Sequence, residues 1–157
     1  MIEIQLSTNL QLSELTRSES AKRRGISNQP TEAHIENMKY LAEKVFQPIR
    51  NHFGVPIRIS SGYRSAALNK AIKGSTTSFH SIGAAIDIDN DGTSISNKEI
   101  FDFIKDNLEY TELIWEFGTK SNPDWVHVAI VKGCEKEKET LEAYRVKGKT
   151  LYRKYNG

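Results

Sequence analysis

The chain has 157 residues, 38% hydrophobic and 27% charged, with a formal net charge of +2. That length suits one compact domain with its own core, expected here over 1–157 with a central part at 31–131, and is short for two. The weak positive charge excludes the strongly basic balance of a nucleic-acid binder, although it suits an anionic surface such as a bacterial cell wall.

The N-terminal stretch "MIEIQLSTNLQLSEL" has neither the basic start nor the apolar run of a secretory signal. No stretch approaches the length of a membrane span. The expectation is a protein made in the cytoplasm that needs another route to any work outside the cell. "IEIQL" alternates and predicts a short strand. "SESAKRRG" predicts a short helix capped at Ser18 or Ser20 and stopped by Gly25. Its basic triplet Lys22, Arg23, Arg24 reads as a solvated helix face.

"TEAHIENMKYLAEKVFQPIRNHFG" is the strongest helix, capped at Thr31. Ile35, Met38, Leu41, Ala42, Val45 and Phe46 recur at three- and four-residue spacing as one buried stripe. Pro48 is expected to bend or interrupt it, and Gly54 to end it. His34 and His52, at its ends, lack partners at metal spacing and read as structural or exposed. "PIRISSGYR" predicts a strand, "SAALNKAIKG" a short helix, "STTSFHSIG" a loop and "AAIDID" a buried strand. "SNKEIFDFIKDNL" predicts an amphipathic helix capped at Ser96 or Asn97. "ELIWEFG" and "PDWVHVAI" predict strands. The tail, 135–157, reads as two extended runs split by "KGK", a terminal hairpin. Early helices followed by strands imply an α+β fold with a small antiparallel or mixed sheet and helices on one side.

Four histidines exist, and only His80 and His127 sit near chemistry. Asp87 lies seven residues after His80, with glycine and alanines between them. His127 lies inside "WVHVAI", where Trp125, His127 and Ala129 share a face. Taken alone, a histidine there reads as a core residue bonded to a backbone carbonyl. Read together, two histidines and a carboxylate are the ligand types of a catalytic zinc site. Asp124, three residues before His127, is placed to accept a proton from attacking water. Arg64, in "SSGYRS", is placed to meet a substrate carboxylate or a developing oxyanion. Glu116, acidic inside an apolar strand, is costly unless paired. It is read first as a partner of a ligating histidine or of Arg64, then as a rival base. "DIDNDG" opens like a calcium loop, but its twelfth position is Lys98 rather than glutamate. A looser calcium site at Asp89, Asn90 and Asp91 ranks behind a plain acidic turn. The single cysteine, Cys134, excludes an internal disulfide and reads as an inert loop thiol.

"SSGYRSAALNKAIKGSTTSFHSIGAAIDID" followed by "DWVHVAI" resembles the zinc D-Ala-D-Ala carboxypeptidase family, which includes D-Ala-D-Ala dipeptidases and phage L-alanyl-D-glutamate endolysins. The hallmark positions are held by Ser78, His80, Gly83, Ala85, Asp87, Asp124 and His127. The stretches "SESAKRRGISNQP" and "NMKYLAEKVFQPIRNHFG" resemble its phage and prophage branch. The resemblance implies a hedgehog-like zinc fold and one zinc ion on His80, Asp87 and His127. It also implies Asp124 as general base, Arg64 on the scissile carbonyl or the substrate, and Ser78 on the substrate or behind a ligand. The implied activity is hydrolysis of peptidoglycan stem peptides, as D-Ala-D-Ala carboxypeptidase or L-Ala-D-Glu endopeptidase. The protein would be a monomer reaching the wall after holin release or as a virion component. The alternative is a non-catalytic zinc-binding or virion-structural module of the same fold.

Overall fold

A computed structural model describes residues 3–157; Ile2, where the first predicted strand begins, lies outside the described residues. That strand is short, β1 (Gln5–Ser7), and pairs with β2 (Leu10–Gln11). Helix α1 (Leu12–Thr16) follows directly, then α2 (Glu19–Arg24). Ser18 Oγ accepts the Ala21 N–H, and Gly25 leaves α2 at a φ of 63°, a conformation that suits glycine.

The long helical segment runs as α3 (Glu32–Leu41) and α4 (Gln47–Phe53), joined without a break by a π-wound turn over Ala42–Phe46. The interruption expected at Pro48 therefore takes the form of a widened turn just before it. A turn wound i→i+5 rearranges the bonding where proline offers no N–H. Strand β3 (Ile59–Ser61), helix α5 (Ala66–Ala71), a 3₁₀ turn (Phe79–Ile82) and strand β4 (Ala85–Ile88) carry the chain to α6 (Asn97–Asn107). Strands β5 (Glu112–Glu116), β6 (Trp125–Ala129), β7 (Glu139–Val146) and β8 (Lys149–Lys154) complete it. The predicted terminal hairpin is β7–β8, turning through Lys147 and Gly148, both at positive φ.

The fold is α+β. Six strands form one mixed sheet in the order β3-β4-β6-β5-β7-β8, antiparallel except for the parallel β5–β7 pair. One face carries Ile86, Ile88, Val126, Val128, Leu113 and Trp115, which join Leu41, Val45, Ile49, Ile100, Phe101 and Ile104 from the helices in one apolar cluster. Burying each such side chain is worth roughly 1.5–3 kcal/mol. The alternate residues, Asp87 of β4, His127 of β6 and Glu112, Ile114 and Glu116 of β5, share the opposite face. No helix of the described residues is long and apolar enough to cross a membrane.

Asn97, fully buried at the start of α6, locks the strand–helix corner. Its Nδ2 donates to Asp89 Oδ1 (3.0 Å) and to the carbonyls of Pro123 (3.2 Å) and Asp124 (3.0 Å), while its Oδ1 accepts the Asn90 N–H (2.7 Å). Asn97→Ala strips these buried groups of partners. It should destabilise the protein by about 2–3 kcal/mol, read as a lower urea midpoint at unchanged slope.

Candidate metal centre

Antiparallel pairing of β4 with β6 sets Asp87 directly opposite His127. His80 arrives from outside the sheet. Ser78 caps the 3₁₀ turn by accepting the His80 N–H (3.2 Å), and Gly83 ends the turn at a φ of 77°. A Cβ on Gly83 would sit 2.6 Å from the His34 carbonyl oxygen, so the turn can pack this closely against α3 only with glycine there. The result brings His80 Nε2 to 3.2 Å and His127 Nδ1 to 3.0 Å from Asp87 Oδ1. One ligand atom from each of the three residues lies within 4.8 Å of the other two.

The far ring nitrogens are held too. His80 Nδ1–H donates to the Gly62 carbonyl (2.7 Å), and His127 Nε2–H donates to Glu112 Oε1 (2.8 Å). These partners set both tautomers so that the lone pairs turn toward Asp87, the arrangement a metal requires. Both histidines are buried and Asp87 is nearly so. Two imidazoles and a carboxylate suit zinc, which accepts nitrogen and oxygen ligands in a site with a position left for water.

Without metal, the cluster holds itself by charge. Burial opposes ionisation of Asp87, but His80 and His127 outweigh it and hold its carboxyl well below the usual range. Burial would likewise lower His127, yet hydrogen bonds to Asp87 and Glu112 push it up to about 10.

Glu112 was not singled out from the sequence. The signal existed: Glu112 and Glu116, four apart on one strand, must share a face. Glu116 is buried on the metal-facing side, and burial, with the charges of Asp87 and Glu112, pushes its carboxyl up to about 7 against the pull of His127 and Arg145. Asp124 is exposed just before β6, and its main chain bonds to Glu116 (N–H to carbonyl, 2.9 Å) and to Asn97. Arg64 donates its N–H to the His80 carbonyl (3.2 Å), and its side-chain Nε is buried without a hydrogen-bond partner. Tyr152 of β8 stands in one row with Ala143 and Glu116 on the metal-facing side. Its hydroxyl pKa is raised by burial and by Glu116, Glu112 and Asp87.

The other histidines stand apart: His34 Nδ1 meets the Tyr63 hydroxyl at 3.1 Å, and His52 stacks on Phe103. At the acidic turn, Asp89 Oδ1 accepts from the Asp91 N–H and from Asn97, and Asp91 Oδ1 accepts from Asn122. These carboxylates thus bond within the turn, to α6 and to the segment before β6, and the group among the described residues that could hold a metal ion is His80, Asp87 and His127.

Compared with known proteins, residues 8–129 match the model of a family described as peptidase M15. No curated protein matches the chain significantly.

Two outcomes follow from this geometry. Glu112→Ala should weaken zinc binding about 10- to 100-fold in a chelator competition, because the His127 ring loses the group that orients it. In metal-free protein, the raised pKa of Glu116 gives stability that is full below its ordinary 4.5 and lost as pH rises through about 7. Between pH 5 and pH 8 the native chain should therefore lose roughly 2 kcal/mol relative to Glu116→Gln, read from paired urea melts.

Proposed function

The chain belongs to the peptidase M15 family, whose members are zinc-dependent peptidases, and on that premise we propose that it hydrolyses the stem peptides of bacterial peptidoglycan. The reaction is D-Ala-D-Ala carboxypeptidase or L-Ala-D-Glu endopeptidase cleavage, carried out by a monomer. The observation that carries the proposal is the convergence of His80, Asp87 and His127 with both far ring nitrogens already bonded. A wall-lytic role, with a phage or prophage enzyme arriving after holin release or within a virion, rests on the resemblance of 18–30 and 37–54 to that branch.

His80, Asp87 and His127 would hold the zinc. A bound zinc supplies Lewis acidity, making water acidic enough to attack at neutral pH and polarising a carbonyl. The chain's own groups do the rest. Asp124, three residues before His127, takes the proton of the attacking water and returns it to the leaving amine. Glu116, buried on the same face as the ligands, is the second reading for this role. Arg64, with a buried donor lacking an acceptor, binds a substrate oxygen and steadies negative charge as it develops. Ser78 shapes the turn that delivers His80.

Zinc-loaded protein incubated with purified peptidoglycan should release fragments with new amine termini, seen by mass spectrometry and abolished by chelator. Their absence from every wall type tried would leave the non-catalytic zinc module as the reading. Asp124→Asn should lower kcat by about 10²–10⁴, with Glu116→Gln within about tenfold of the native chain. The reverse ranking moves the base to Glu116.

A further inference from the structure

The family match ends at Ala129, so the terminal hairpin β7–β8 lies outside it. The hairpin is nonetheless built into the sheet: β7 pairs in parallel with β5 from Glu112↔Glu139 to Glu116↔Ala143. The register therefore carries the metal-facing side of the sheet outward across the hairpin. Trp125, Glu116, Ala143 and Tyr152 form one row of that face, from β6 to β8.

The helices pack on the opposite face, yet Ala143 is only 1% exposed and Glu116 only 7%. A methyl group cannot shield itself, so a neighbour must lie across Ala143. Its neighbours on the hairpin are Leu141 and Arg145 along its own strand and Tyr152 across from it. The Arg145 guanidinium is taken up elsewhere, 4.0 Å from the centroid of the Phe117 ring. Tyr152 has the reach to cover Ala143 and lean toward Glu116. Its hydroxyl agrees with this placement, because burial and the charges of Glu116, Glu112 and Asp87 raise its pKa. The residue as a whole is still 54% exposed, so one ring face stays open to solvent.

Among the described residues the Tyr152 hydroxyl has no hydrogen-bond partner, whereas the Tyr110 hydroxyl meets Thr140 Oγ1 at 2.6 Å at the start of the same hairpin. Tyr152 thus offers an O–H donor in want of an acceptor. The surrounding carboxylates make an anion the wrong acceptor, and a neutral peptide carbonyl the right one. Strand β8 stands three strands from β6, roughly 14 Å at about 4.8 Å per strand, which is farther than a tyrosine side chain spans. The hydroxyl therefore meets a bound peptide away from the metal group.

We propose that the β7–β8 hairpin forms one wall of the substrate groove, with Tyr152 as a specificity residue that donates its hydroxyl hydrogen to a backbone carbonyl of the peptide other than the one cleaved. This rests on the peptidase reading above and extends the groove onto a segment beyond the family match.

Tyr152→Phe removes the hydroxyl and keeps the ring. With zinc and a synthetic stem pentapeptide it should raise KM about three- to tenfold at unchanged kcat, zinc content and Tm, as expected of a contact made equally in the ground and transition states. Leu151→Ala, on the other face of the same strand, should leave KM unchanged. In metal-free protein carrying tyrosine isotope-labelled at Cζ, the signal that disappears in Tyr152→Phe should shift as the pentapeptide is added. An unchanged KM in Tyr152→Phe, a loss confined to kcat, an equal rise in Leu151→Ala, or a Tyr152 signal indifferent to the peptide overturns the proposal. If zinc-loaded native protein does not cut the pentapeptide, the peptidase reading fails, while the Cζ signal still decides whether the hairpin holds the peptide.

Discussion

The β4–β6 pairing that places Asp87 opposite His127 is the constraint on which the centre depends. Side chains alternate along a strand, so a slip of one residue would send one of the two into the apolar core. The register is held from the other face, where Ile86 and Ile88 of β4 and Val126 and Val128 of β6 are all fully buried against the helices. Core packing thus aligns two ligands that take no part in it. The hydrophobic face of the sheet is, in effect, the support of the metal face.

The third ligand needs a different device. His80 sits on a 3₁₀ turn that must approach the sheet closely, and its position depends on Gly83, on the Ser78 cap and on the Gly62 carbonyl. Gly62 itself lies against the main chain of α1. The N-terminal helices therefore reach the centre through the Gly62 carbonyl.

Charge follows the same geometry. One buried face gathers Asp87, Glu112 and Glu116 around two histidines. Asp87, in direct contact with both histidines, is held ionised, and Glu116, without such a contact, is pushed toward neutrality. Similar side chains thereby take different protonation states on one sheet, a division that acid–base chemistry near neutral pH requires.

Local chemistry made much of this legible in the sequence. Period-two and 3.6-residue patterns, the Ser18, Thr31 and Ser96 caps and the Gly25 and Gly54 stops mark out the α+β elements, because each depends on residues within one turn or one strand. The ligand types and their spacing at His80, Asp87 and His127 were visible for the same reason. What only the tertiary structure decided depends on residues far apart in the chain: that Glu112 orients His127, which nitrogen of each ring faces the metal group, and that Glu116 is buried on that face. The π-wound turn before Pro48 and the cleft between the α1–α2 segment and β3 belong to the same class. Strand register and the docking of distant segments set these features, and neither leaves a period in the sequence.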